Sequence, residues 1–129
     1  MIQRIIKFRQ WNPKKKIMFY DANFPFDGNE ISINRQIELS QGIGTIWMQF
    51  TGLKDKNRKE IFEGDLLMEN EYRAYPRLVK WDNDLGRWML HGHNPKNKTS
   101  YRIGIRHKLK QSQIIGNLYE NTELLEGDK

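Results

Sequence analysis

Three carboxylates near the middle of the chain are the side chains best spaced for acid–base or metal chemistry. Glu60, Glu63 and Asp65 lie within one short segment, where they could act as a paired general acid and base or as magnesium ligands for phosphodiester cleavage. The basic residues just before them favour the alternative of solvated turn charges. Because no nucleophile elbow, phosphate-binding loop or dinucleotide motif accompanies them, the sequence predicts no enzyme activity and no cofactor.

Two of the histidines have a spacing that suits a metal. His91 and His93 would project from one face of a strand, and two imidazoles can begin a zinc site. A closed structural site needs four ligands, however, and the chain has 3 histidines and 0 cysteines. The pattern favours a polar pair at a strand end, and no metal site is predicted.

The segment DNDLG at residues 82–86 superficially resembles a calcium loop. Such a loop has Gly at its sixth position and a bidentate Glu at its twelfth. Counted from Asp82, those positions hold Arg87 and His93. A β-turn therefore explains the segment better than a cation site does.

Basic residues form the most extensive chemical feature, in three runs. With 22 Lys and Arg against 16 Asp and Glu, the net charge is +6, which attracts polyanions. If two runs share a face beside exposed rings such as Tyr72, Tyr75 or Tyr101, the surface could follow a phosphate backbone while the rings stack on bases. The alternative is three solvated loops on different faces. The candidate polyanion-binding residues are Lys14, Lys15, Lys16, Lys54, Lys56, Arg58, Lys59, Arg102, Arg106, Lys108 and Lys110.

Short β-strands are the elements that must position these residues. Period-two alternation of branched and aromatic side chains predicts strands at residues 2–11, 17–21, 30–34, 45–50, 66–69, 78–81, 87–91, 101–105 and 114–118. Turn chemistry predicts breaks at 12–15, 51–52, 55–58, 64–65 and 82–86, and loops at 22–28 and 93–99. Residues 36–44 fit either a helical turn or a loop, and one helical turn is possible near 121–125.

These strands predict one all-β domain, with short strands in strongly bent, partly closed, barrel-like sheets and at most one or two short helical turns. We expect an N-terminal β part over about residues 1–50, a turn-rich segment at 51–65, a C-terminal β part over about 66–120 and a short tail. The predicted core residues are Trp47, Phe50, Ile61, Phe62, Trp81, Trp88 and Ile115. Truncating Trp81 to Ala is expected to cost about 3–5 kcal/mol.

Cysteine usage and hydropathy bear on the compartment. The absence of cysteine fits a reducing cytoplasm. The N-terminal MIQRIIKFRQW lacks the continuous apolar region of a signal peptide, and no run reaches the length of a membrane span. We therefore expect a cytoplasmic protein with no membrane partner.

Four blocks of the sequence carry a family resemblance. They are IIKFRQWNPKKKIMFY, MQFTGLKDKNRKEIFEGDLL, VKWDNDLGRW and IIGNLYENTELLE. In order and spacing they resemble the motifs of the YopX family of phage and prophage proteins, and the central TGLKDKNRKEIFEGD is the most specific. The chain departs from the usual pattern at Arg58, where a Gly commonly completes the turn, and at Thr122, where Pro is common.

The resemblance implies a β-rich protein of the bacterial host cytoplasm, encoded by phage or prophage, with no established activity and no assigned functional residues. Together with the missing catalytic motifs, it leads us to expect a non-catalytic module that binds a protein partner or a second copy of itself. The alternative is a nucleic-acid-binding protein that uses basic loops and exposed aromatic rings.

Overall fold

The computed structural model describes residues 5–22, 45–69, 75–94 and 96–125. The chain divides into two compact units, Met1–Phe50 and Thr51–Lys129, so the single-domain organisation stays a prediction. In the described ranges, regular structure consists of nine β-strands and two 3-10 turns, which confirms the predicted all-β class. Most of the predicted loop at 22–28, the strand at 30–34 and the segment 36–44 lie outside the described residues.

The first unit is built on a hairpin. Strand β1 (Phe8–Asn12) pairs antiparallel with β2 (Ile17–Ala22) on one side and with the first residues of β3 (Ile46–Lys54) on the other. The Asn12 side chain forms the turn between β1 and β2, because its Oδ1 accepts the backbone N–H groups of Lys14 and Lys15, each at 3.0 Å. β1 begins later than predicted, since residues 5–7 are not part of a strand.

β3 runs four residues past its predicted end at Phe50. Gly52 has a φ of 84°, which a residue without Cβ adopts readily, so the strand absorbs the predicted bend without ending. The Thr51 hydroxyl donates to the Ile61 carbonyl at 2.7 Å. This contact brings β4 (Glu60–Phe62) against the end of β3 within the second unit.

The second unit contains a five-stranded antiparallel sheet. Its strand order is β8–β7–β6–β5–β9, where the strands are β5 (Asp65–Met68), β6 (Arg77–Asp82), β7 (Arg87–Asn94), β8 (Thr99–Gly104) and β9 (Gln113–Asn117). The β5–β9 register shifts between Leu66 and Leu67, which pair with Gly116 and Ile114, so Ile115 is an extra residue on β9. The 3-10 turns are Ile105–His107 and Thr122–Leu125, the second lying at the predicted helical turn.

The predicted loop at 93–99 is shorter than expected, because β7 continues to Asn94 and β8 begins at Thr99. His93 pairs with Ser100 and Asn94 with Thr99, so the connection shrinks to residues 95–98. Asparagine side chains make this tight link possible: Asn94 Oδ1 accepts the Lys96 N–H at 2.9 Å and Asn97 Oδ1 accepts the Thr99 N–H at 3.1 Å.

The core of the second unit lies on one face of this sheet. Its buried cluster comprises Ile61, Leu67, Val79, Trp88, Leu90 and Ile105. Burial is confirmed for Phe50, Ile61, Phe62 and Trp88, while Trp47 and Ile115 are half-buried.

The placement of Trp81 in the core was wrong. Its side chain is 41% exposed, against 9% for Trp88. The two residues face each other across the β6–β7 hairpin, with ring centroids 5.1 Å apart in an edge-to-face arrangement. Trp81 therefore packs on a core ring from the solvent side.

Candidate functional site

The carboxylates at 60–65 are divided between separate local roles. Asp65 is buried and its Oδ2 accepts the Phe62 N–H at 2.8 Å, which closes the turn between β4 and β5. Glu60 and Glu63 are half-buried. Across the described residues, no three His, Cys, Asp or Glu side chains come together as a set of metal ligands.

His91 and His93 both lie on β7, as expected for strand residues. His93 Nδ1 lies 2.8 Å from the Ser100 hydroxyl on β8. His91 is opposite Arg102. Burial is the main cause that lowers the pKa of the His91 imidazole, and the positive charges of Lys80 and Arg102 lower it further, while the negative charge of Asp82 raises it. This surrounding favours the neutral ring.

Asp82 organises the hairpin that the sequence placed at 82–86. Its Oδ1 accepts the N–H groups of Asp84 and Leu85, each at 2.9 Å, and its Oδ2 accepts a hydrogen bond from Arg102. A turn at 82–86 is confirmed, and its backbone bond runs from the Gly86 N–H to the Asp82 carbonyl at 2.8 Å. Arg102, one of the candidate polyanion-binding residues, is thereby paired with a carboxylate.

Asp55 builds the most highly charged turn of the second unit. Its Oδ1 accepts the N–H groups of Asn57 at 2.8 Å and Lys59 at 2.9 Å, and its Oδ2 accepts the Ile114 N–H at 2.9 Å. The Lys56 N–H also donates to the Ser112 carbonyl at 2.9 Å. These bonds fix the turn against the start of β9, so the structure brings the second basic run beside the segment that carries Lys110.

The strand register brings a third group of cations to the same end of the sheet. The start of β9 lies beside the end of β5, because Gln113 pairs with Met68. β6 begins and β7 ends at this same end of the sheet. Asn94 of β7 pairs with Thr99 of β8, just before the 95–98 connection, which carries Lys96 and Lys98. We call this region the basic end and define it by the exposed cations Lys56, Arg58, Lys59, Lys96, Lys98 and Lys110.

Two of the carboxylates that the structure describes near the basic end are already engaged. Asp55 is buried and holds its three N–H groups. Glu69 accepts from Arg77 at 3.4 Å and from Lys108 at 3.0 Å. At the opposite end of the sheet, where Asp65 pairs with Asn117 and Asp82 with Arg87, Asp84 and Glu120 are exposed. Exposed cations therefore cluster at the basic end, whereas at the opposite end the exposed cation Arg87 is accompanied by the exposed carboxylates of Asp84 and Glu120.

The remaining candidate cations are distributed elsewhere. Lys54 is exposed directly before the Asp55 turn, and Arg106 is exposed in the first 3-10 turn. Lys108 is held by Glu69. Lys14, Lys15 and Lys16 belong to the first unit, in the turn between β1 and β2.

Sequence reasoning missed Lys96 and Lys98. Both residues lie in the predicted polar loop at 93–99, and a loop prediction does not give the position of its residues relative to the sheet. The signal that could have placed them is the pair of asparagines, Asn94 and Asn97, which is typical of a tight turn.

Of the aromatic residues expected to stack on bases, the structure describes Tyr75 and Tyr101. Tyr101 lies opposite Gly92, where an added methyl group would overlap its ring, and its hydroxyl accepts from Arg77 Nε at 3.1 Å. Tyr75 is half-buried, and Tyr72 lies outside the described residues. Among the described residues, the basic end thus offers mainly exposed charge, together with the partly covered ring of Tyr101, which is 36% exposed.

Fold and site together define a small antiparallel β protein with a cationic sheet end. The family model described as YopX protein matches residues 7–126, and the chain belongs to the YopX family.

A solved structure, the crystal structure of protein EF1440 from Enterococcus faecalis, is similar with a TM-score of 0.63 and 24% identity, over 95% of this chain and 99% of that chain. This likeness concerns the fold alone. None of the curated proteins matches the chain. The described residues include no helix with the length and apolar character that a membrane crossing requires.

Proposed function

We propose that the protein acts by binding rather than by catalysis, and that its ligand is duplex nucleic acid held through the phosphate backbone at the basic end. The observation that carries this proposal is the pair of bonds from Lys56 to Ser112 and from Ile114 to Asp55. They hold two basic segments, far apart in sequence, on one edge of the sheet.

The width of the basic end suits a nucleic-acid backbone. Four strand intervals separate β8 from β9, which corresponds to roughly 19 Å at about 4.8 Å per interval. Phosphates along one strand of a duplex are spaced by about 3.4 Å of helix axis, so cations at both edges span about five or six nucleotides.

The chemistry of the site favours the backbone over the bases. Lysine and arginine attract phosphate without reading sequence, whereas single strands are usually held by stacking on exposed rings. The Tyr101 ring is 36% exposed, but one of its faces covers Gly92 and its hydroxyl is bound by Arg77, so only part of this ring is free for stacking. We therefore expect duplex DNA to bind at least as tightly as a single strand.

A salt titration tests this function. Fluorescence anisotropy of a labelled 20-base-pair duplex would be followed with the full chain from 50 to 300 mM salt. Each neutralised phosphate contributes a slope of about −0.9 to the log–log plot, so engagement of three to six cations predicts a slope of about −3 to −5. Micromolar protein that leaves the duplex free at 50 mM salt would contradict the proposal.

Self-association is a second candidate, and β2 is the observation that favours it. β2 is an edge strand among the described strands of its sheet, and Ile17, Phe19 and Tyr20 on it are 45%, 46% and 54% exposed. An apolar edge strand can pair with a strand of another chain. Light scattering after size-exclusion chromatography would show an oligomer in the parent that Phe19→Lys reduces to a monomer, whereas a monomeric parent at 100 µM would exclude this candidate.

A further inference from the structure

Three non-glycine residues in the described part of the chain have a left-handed backbone, and all three are cations. Their φ values are 55° for Lys16, 67° for Arg58 and 56° for Lys98. This conformation places Cβ close to the following carbonyl oxygen and costs free energy that glycine avoids. Each position would therefore be more stable as glycine.

The same fold uses glycine at comparable turns. Gly64 and Gly86 have φ values of 88° and 64°, at the turn before β5 and at the β6–β7 hairpin. The backbone conformation of these turns therefore does not require a cation at position 58 or 98. Both side chains are exposed, so burial of apolar area does not explain them either. Strained positions that persist in this way are typical of functional sites.

We propose that Arg58 and Lys98 are the principal phosphate-contacting residues of the basic end. Arg58 lies in the turn bonded to the start of β9, and Lys98 lies in the connection that leads into β8. The two residues therefore occupy opposite edges of the five-stranded sheet. This inference rests on the proposed duplex binding and identifies the two side chains that make the main phosphate contacts.

Glycine variants separate the binding role from the structural one. Arg58→Gly and Lys98→Gly remove the charge and also the backbone strain, so both variants should unfold at a higher temperature than the parent. If each residue contacts one phosphate, each variant should bind the 20-base-pair duplex about tenfold more weakly at 0.05–0.1 M salt, with a salt slope smaller by about 0.9. Arg58→Lys, which keeps the charge, should stay close to the parent.

Arg87→Gln is the matched control, because Arg87 is an exposed cation at the opposite end of the sheet. It should leave the slope nearly unchanged. A parent that binds with a steep slope, together with glycine variants that keep the same affinity and slope, would overturn the inference and leave the proposed function standing. A parent that binds no duplex would overturn both.

Discussion

The Asp55 carboxylate accepts the backbone N–H of Ile114 at 2.9 Å, which joins the turn after β3 to the edge strand β9. The same carboxylate accepts N–H groups from Asn57 and Lys59 within its own turn. One buried side chain therefore holds both the shape of the basic turn and its attachment to the sheet. The position of the basic end depends on this residue.

Replacing Asp55 with Ala should destabilise the second unit. The variant leaves three N–H groups without their acceptor, and hydrogen bonds to a charged group contribute about 1.5–3 kcal/mol each in comparable cases. Because water can reach parts of the turn, we expect a total loss of about 3 kcal/mol in the free energy of unfolding, measured by urea denaturation. Asp84→Ala, at an exposed position, is the control, and equal losses in the two variants would contradict the role of Asp55.

Replacing Arg58 with Gly should stabilise the fold. Relief of the left-handed strain at a φ of 67°, partly offset by the greater freedom of glycine in the unfolded chain, gives an expected gain of about 0.5–1 kcal/mol. Lys56→Gly is the matched control, because Lys56 lies in the same turn without a positive φ and should lose stability. Thermal melting of both variants compares them directly, and a less stable Arg58→Gly variant would refute the strain argument.

Truncating the two hairpin tryptophans should have unequal effects. Trp88 is buried in the core cluster, so Trp88→Ala should cost about 3–5 kcal/mol. Trp81 is 41% exposed and adds an edge-to-face contact with Trp88, so Trp81→Ala should cost less, about 1.5–3 kcal/mol. Urea denaturation distinguishes these values, and equal costs would show that Trp81 is part of the core after all.

Stability should fall in mild acid because of His91. Burial and the charges of Lys80 and Arg102 lower the pKa of His91 from 6.5, so the unfolded chain binds this proton more readily than the folded chain does. The free energy of unfolding is therefore expected to decrease as the pH falls below about 6.5 and to level off below the folded-state pKa. Comparison of His91→Gln with the parent from pH 7.5 to 5 isolates this contribution, and identical pH dependence in both proteins would contradict it.

Local patterns in the sequence were sufficient for several elements of the fold. The hairpin at 82–86 followed from an aspartate and a glycine at positions that suit a turn, and the structure gives both residues those roles. The alternation around Trp81 correctly identified strand β6. The alternation did not predict how exposed the Trp81 side chain is, because alternation shows which face of the sheet a residue lies on and not how near it lies to the edge of the core.

The candidate site was less accessible to sequence reasoning. The three basic runs were visible, but their arrangement depends on a hydrogen bond between Asp55 and Ile114, which are 59 residues apart. No local preference encodes such a contact. Lys96 and Lys98 were missed for a related reason, since their location follows from how far the β7–β8 ladder extends.

The most direct test of the basic end compares duplex binding by two variants that each lose two exposed positive charges. Arg58→Gln combined with Lys98→Gln removes the two principal phosphate contacts of the basic end, and Lys80→Gln combined with Arg87→Gln neutralises cations on β6 and β7 away from it. By anisotropy with the same 20-base-pair duplex, the first variant should lose about 1.8 in salt slope and on the order of a hundredfold in affinity at 50 mM salt. The second should stay within a few-fold of the parent. Equal losses in both variants would show that net charge, and not the basic end, attracts the duplex.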